Sequence, residues 1–184
     1  MEVAVPSAAP TTRRPRRRKH KAKTTPATPA PAGGPGPRLW GDQSDPAAVP
    51  EVAGGIVRDN VRATYHYYAQ AGYETATLAC ADRFWADPDY GRKLLKYPWT
   101  AYCLDKGDVQ KVCGRCLRVT NRRTGASAIA RAVDKGGCSD RDGTGLDLDP
   151  AIFTPLDTDG RGYADGFMRV DVREVDCGPD GTFS

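Results

Sequence analysis

The sequence predicts a small, mainly β domain, closed or nearly closed into a barrel, stapled by disulfides and preceded by a basic tail. Three observations carry that expectation. All six cysteines, at 80, 103, 113, 116, 138 and 177, lie beyond the first 79 residues, an even count suited to three bridges in a domain with a small core. From residue 60 onward, short runs of alternating apolar and polar residues are separated by turn-forming clusters. Residues 1 to 55 are crowded with Pro, Ala, Gly and Thr and bury too little apolar surface to offset their ordering entropy, so they read as disordered. The division is therefore a tail over 1–59, a domain over 60–178 and a short C-terminal tail over 179–184.

The first strand is expected in Val61-Arg-Ala-Thr-Tyr-His-Tyr-Tyr68, with Val61, Ala63, Tyr65 and Tyr67 on one face and His66 on the more polar face. A short helix is expected within Arg83 to Tyr97. Leu117 to Thr120 and Ser127 to Asp134 flank Asn121-Arg-Arg-Thr-Gly125, whose Asn and terminal Gly suit a hairpin with a left-handed position. Asp149 can cap a short helix that has Pro150 at its first position, where no needed donor is lost. Phe167 to Arg173 alternates most clearly, placing Met168, Val170 and Val172 inward. No internal repeat is visible.

Metal or redox chemistry competes for the cysteines, because Cys113-Gly-Arg-Cys116 is a CxxC. A structural zinc site needs four ligands, usually two such pairs, and no second pair or downstream histidine is present. A thioredoxin-like role needs a βαβ setting, whereas Cys116 opens a strand-like run. No cofactor or metal is expected, and no stretch approaches the ~20 apolar residues of a membrane span.

Residues 1–59 hold ten Lys or Arg against five Asp or Glu, and residues 60–184 hold 17 against 18, so the net charge of +4 belongs to the tail. The cluster from Arg13 to Lys23 suits a nuclear import signal, an electrostatic arm for anionic partners or a solvated linker. Met1 to Pro10 shows neither the basic nor the apolar region of a secretory signal, and an Arg-rich, acid-poor leader also suits a transit peptide. The cysteines nevertheless ask for an oxidising compartment.

Val61 to Tyr68, Tyr97-Pro-Trp-Thr-Ala-Tyr-Cys103, Cys113 to Asn121, Ala130-Arg-Ala-Val-Asp134, Gly145-Leu-Asp-Leu-Asp149 and Leu156-Asp-Thr-Asp-Gly160 resemble barwin, in order and over residues 60–178. Barwin-domain proteins are pathogenesis-related plant defence proteins. The resemblance implies a double-psi β-barrel and a monomer, extracellular or vacuolar. It implies antifungal action, weak affinity for chitin-type or other cell-wall oligosaccharides and, in several members, ribonuclease activity. It also implies the pairs Cys80–Cys113, Cys103–Cys138 and Cys116–Cys177. The hevein module of many relatives is absent, since residues 1–59 contain no cysteine.

Family ribonuclease activity is associated with two histidines. His66 stands at the first position and Phe167 replaces the second. Cleavage by the ribose 2′-OH needs a base and an acid, so that loss removes a group typically worth ~10²- to 10⁴-fold. Asp134, at the end of its strand, occupies the place of a catalytic acid in some cell-wall-active relatives of the same barrel. Glycoside hydrolysis takes two carboxylates, and Asp147, Asp149, Asp157 and Asp165 are the available seconds. A strand-end aspartate equally serves as a turn-capping residue. Lys135 to Gly145 is longer than the family's loop, and Asp157 and Asp159 faintly resemble a calcium loop without its terminal Glu.

Among aromatic residues suited to stacking on sugar rings, Tyr68 and Trp85 are expected at the surface and Trp99 and Tyr67 in the core. Arg115, Arg118 and Arg131, with Arg122 and Arg123, cluster around the central hairpin as a face for RNA phosphates or as a solvated hairpin surface. A wall-binding module and a weak ribonuclease are thus the two expected functions.

Overall fold

A computed structural model describes residues 45–68, 75–103, 111–136, 145–179 and 181–183. Strands β1 (Val57–Tyr65), β2 (Trp99–Cys103), β3 (Cys116–Asn121), β4 (Ser127–Asp134), β5 (Gly145–Leu148) and β6 (Met168–Val175) close into a barrel in the order β1-β5-β2-β4-β3-β6. The pairs β1–β5 and β2–β4 are parallel and the others antiparallel, which makes this a double-psi β-barrel. Among the described residues, four short helices, α1 (Ala81–Trp85), α2 (Tyr90–Leu94), α3 (Pro150–Leu156) and α4 (Arg161–Asp165), sit on the connections.

Inward alternation builds the core. Met168, Val170 and Val172 of β6 meet Val61, Ala63, Leu117, Val119, Leu146 and Leu148, with Phe153 and Leu156 of α3 closing one end. A second cluster lies outside the barrel, where α1 and α2 bring Phe84 and Leu94 against Ala101, Trp99, Val133 and Tyr68. Trp99 is buried, as expected, and its indole N–H donates to the Leu94 carbonyl at 2.9 Å.

The local chemistry explains the turns. In the β3–β4 hairpin, Gly125 adopts φ 75° and Asn121 accepts the Arg123 N–H at 2.9 Å while donating to the Leu156 carbonyl at 2.9 Å. Asp149 caps α3 by accepting the Ala151 N–H at 2.8 Å. In β1 the pairing slips between Arg58 and Val61, and Asn60 takes φ 58° with its N–H held by Asp171 at 2.9 Å.

The first strand ends earlier than its alternation suggests. After Tyr65 the chain turns, with the Tyr68 N–H donating to the His66 carbonyl at 3.0 Å. That turn exchanges two expectations: Tyr68 is 2% exposed and belongs to the outer cluster, whereas Tyr67 is 43% exposed.

Bridges Cys80–Cys113 and Cys116–Cys177 form as the resemblance implied. Cys103 is also disulfide-bonded, and its expected partner Cys138 lies outside the described residues, as does the basic cluster of the tail.

Residues 45–56, counted with the tail in the sequence reading, run beside β6. Glu51 bridges to Val175, the Val52 N–H donates to the Glu174 carbonyl at 3.0 Å, and Glu51 pairs with Arg118. Val49 packs against Tyr97, Cys116, Ile129, Val175 and Cys177. Deleting residues 1–56 is therefore expected to lower the melting temperature by several degrees more than deleting residues 1–44, an order set by ~1 kcal/mol or more of lost contact in a domain of this size. Equal melting temperatures for the two truncations would show that the segment contributes nothing.

Candidate functional site

Strand register, rather than sequence neighbourhood, assembles the site. Thr64 of β1 pairs with Asp147 of β5, Asp147 with Ala101 of β2, and Ala101 with Asp134 of β4, so all four lie on the outer face. The Thr64 hydroxyl donates to Asp147 Oδ1 at 2.8 Å and approaches the Leu146 carbonyl at 3.2 Å. His66 prolongs this face of β1, because its backbone N–H donates to the Leu148 carbonyl at 2.9 Å. Its ring stands 4.8 Å from that of Tyr68. On the other flank, the pairing of Ala63 with Met168 puts Phe167 one step on, beside Thr64. The Arg62 and Arg169 guanidinium groups stack on the Phe167 ring at 4.5 and 5.8 Å from its centre.

Aromatic rings line the rim where β1 leaves the sheet. Tyr65 contacts Tyr67 at 5.9 Å, Phe153 at 4.8 Å and Tyr163 at 4.9 Å between ring centres. The Tyr163 hydroxyl shares a 2.8 Å hydrogen bond with Thr154, and burial raises its phenol above the ordinary range. Tyr67 is the ring left open to solvent at this rim.

Asp134 stands apart from this group. Two strand spacings, about 10 Å between backbone positions, separate it from Asp147. Ala101 between them is buried in the outer cluster, and a Cβ at Gly136 would approach that of Ala101 to 3.2 Å. Asp134 Oδ1 accepts the Ala79 N–H at 2.9 Å and the Lys135 N–H at 2.8 Å, tying the turn before α1 to the end of β4. The pair of carboxylates flanks a covered ridge.

The structure separates the arginines of the hairpin region, one buried and the others paired with acids of the fold. Arg131 is completely buried, correcting its expected surface role, and its Nη1 donates to the Gly114 carbonyl at 2.7 Å. Arg118 reaches Glu51 and the Val49 carbonyl, Arg115 pairs with Glu174, and Arg122 pairs with Asp171. Antiparallel pairing with β6 sets Glu174 and Asp171 beside Arg115 and Arg122, and the leading segment brings Glu51 to Arg118. Tyr68, expected as a binding surface, is likewise buried. Trp85 is 51% exposed on α1, consistent with its expected surface position, and belongs to neither the rim nor the Thr64 row.

Asp157 and Asp159 are also occupied. Asp157 accepts the N–H groups of Gly162 and Tyr163 at 2.6 and 2.8 Å, opening α4, while Asp159 takes Arg123 through two bonds at 2.6 and 2.7 Å. Their faint likeness to a calcium loop is thus accounted for by structure. Sequence reasoning singled out His66 but missed the Thr64–Asp147 pair. The alternation of β1 assigns Thr64 to the outer face, yet only the parallel pairing with β5 shows what it meets.

Comparison with known proteins agrees with the topology. The structure is similar to cerato-platanin 2 from M. perniciosa, at 22% identity and a TM-score of 0.50, over 66% of this chain and 98% of that one. It is also similar to a Clavibacter michiganensis expansin in complex with cellohexaose, at 18% identity and a TM-score of 0.44, over 66% of this chain and 51% of that one. At these identities the likeness concerns the fold alone. The Barwin family model matches residues 57–177, from the first residue of β1 to Cys177 of the Cys116–Cys177 bridge, and the chain belongs to the Barwin family.

Proposed function

We propose that this is a secreted, cell-wall-associated defence protein that binds wall oligosaccharide, chitin-type first, on the outer face of β1. The observation that carries the reading is the row Thr64, Asp147 and His66, partly open to solvent and ending at the exposed ring of Tyr67. An aromatic face packs on a pyranose ring, while a carboxylate and a hydroxyl fix the sugar's hydroxyls, which is the usual division of work in polar-ligand sites. The disulfide frame supports export, since such bridges persist in oxidising compartments. Binding without turnover is favoured because the covered ridge at Ala101 separates Asp134 from Asp147, whereas glycoside hydrolysis requires two carboxylates flanking one bond. Tyr67→Ala is expected to weaken binding of a chitin hexamer about 3- to 10-fold, the worth of one aromatic contact, with Trp85→Ala unchanged. Titration calorimetry of the full chain decides this, and equal affinity in Tyr67→Ala would remove the rim from the site.

A second reading, weak ribonuclease activity through His66, has one specific observation behind it. Phe167 lies beside Thr64 on the face to which His66 belongs, with two guanidinium groups stacked on its ring. Phe167→His is expected to raise RNA cleavage at least 10-fold, and His66→Ala should erase the gain. An RNA-degradation assay in which native protein already matches that variant, with or without His66, contradicts this assignment.

A further inference from the structure

The least explained group in the molecule is Arg131. Its side chain is 0% exposed, with the ring centre of Tyr97 at 5.6 Å and that of Phe183 at 5.0 Å. Nη1 donates to the Gly114 carbonyl at 2.7 Å and lies 3.7 Å from Cys177 Sγ. Nε and Nη2, by contrast, are buried with no hydrogen-bond partner among the described residues. No carboxylate among those residues pairs with the guanidinium. Asp176, close in sequence to the covering turn, spends Oδ1 on the Gly178 N–H at 2.9 Å. Burial pulls the guanidinium down to about 10, partly opposed by the Tyr97 phenol.

A cation buried in this way is costly unless something charged or polar meets it. The two unserved nitrogens are not scattered. Nε and Nη2 form one edge of the planar guanidinium, the fork that grips a carboxylate or phosphate through two parallel hydrogen bonds.

The surroundings are shaped to the same purpose. Lys96 brings a second cation to the covering turn, its Nζ donating to the Cys177 carbonyl at 2.9 Å. Gly181 closes tightly there, since a Cβ on it would stand 3.1 Å from Arg131 Nη2 and 2.3 Å from the Cys177 carbonyl oxygen. Phe183 lies over Gly114, where a Cβ would come within 2.7 Å of its ring. A cavity of about 240 Å³ lies on the other side of Phe183 and Gly114, lined among others by Arg83, Arg115, Glu174, Asp176 and Cys177, and the guanidinium itself is not part of its wall.

We propose that the Nε–Nη2 edge of Arg131 is the binding site for a single oxyanion group, a carboxylate or inorganic phosphate. Lys96 adds the second positive charge, and Phe183, whose ring lies against the guanidinium, acts as the lid that must move to admit the anion. Occupancy supplies the partner that the buried cation lacks among the described residues and fixes the C-terminal turn against β4 and the Cys116–Cys177 bridge. The site is separate from the Thr64–Asp147 row and independent of the wall-binding reading.

The test follows arginine Nε–H resonances of the full native chain by NMR while sodium formate or sodium phosphate is added, against sodium chloride at equal ionic strength. One Nε–H signal is expected to move saturably, with formate alone, phosphate alone or both, which identifies the preferred oxyanion. Arg131→Lys keeps the charge but removes the fork and should weaken binding at least 10-fold. If that variant does not fold, Lys96→Gln should weaken binding and Phe183→Ala should speed exchange. The proposal is overturned if no Nε–H signal moves beyond the chloride control. It is equally overturned if added anions do nothing while Asp180→Asn shifts the Arg131 signal, because the edge then belongs to a carboxylate of the chain itself.

Discussion

Phe153→Ala is expected to destabilise the barrel by about 3 to 5 kcal/mol, the cost of emptying a fully buried aromatic site. Phe153 is completely buried at the end of the core, and its ring meets both Tyr65 and Tyr163 at 4.8 and 4.9 Å. The cavity therefore opens directly beneath the aromatic rim. Tyr67 leans on Tyr65, so loss of oligosaccharide binding should accompany the loss of stability, whereas Phe153→Leu should retain most of both. Urea unfolding measures the first effect and calorimetry the second. A loss below about 1 kcal/mol would mean that the site collapses without strain and that the rim does not depend on it.

Replacing Cys116 and Cys177 together by Ser is expected to cost about 2 to 5 kcal/mol, the usual range for a native bridge in a small domain. This bridge joins β3 to the chain just past β6 across 61 residues, against 33 for Cys80–Cys113. The longer loop restricts the unfolded chain more, but only by about 0.5 kcal/mol in the chain-entropy account. Cys116 is fully buried and packs with Tyr97, Ile129 and Val175, so a hydroxyl in its place is desolvated among apolar neighbours. Burial does not separate the two bridges, however, since Cys80 and Cys113 are as buried as Cys116 and Cys177, so the ranking rests on loop length. Thermal unfolding of the two double variants should rank the Cys116–Cys177 loss as the more severe, and the reverse order would assign the main constraint to the bridge beneath α1.

The strands with one buried and one polar face were legible from sequence. β6 alternates in residues as it does in space, and β4 and its hairpin follow from Asn121 and Gly125. β2 was hidden because all five of its positions are buried, which removes the alternation by which a strand is read. β5 is four residues long, too short for a pattern to emerge. Helix α4 was hidden for another reason. It is bounded by left-handed Gly160 and Gly166, and its first N–H groups are served by Asp157, outside the helix.

The site was legible only in part. His66 could be singled out from the residue match, but Thr64 and Asp147 meet through a parallel pairing of strands more than 80 residues apart in sequence. One early turn after Tyr65 reversed the places of Tyr67 and Tyr68, since in an extended run each residue added or removed changes the face. Arg131 was misplaced, and the ion pairs of the other arginines were hidden because a list of bases does not show where the acids fall. Glu51, Asp171 and Glu174 reach them across strands and from the leading segment.

The central claim is that the outer face of β1 is the ligand site, and one measurement tests it most directly. Amide chemical shifts of the full chain are followed while a chitin hexamer is added to saturation. The account predicts that the largest shifts fall at Thr64, His66 and Tyr67, with Asp147 and Phe167 beside them, and that Arg115 and Arg118 stay still. Saturable shifts centred on the β3–β4 hairpin, or none at any concentration while another wall glycan also leaves the face unchanged, would contradict it.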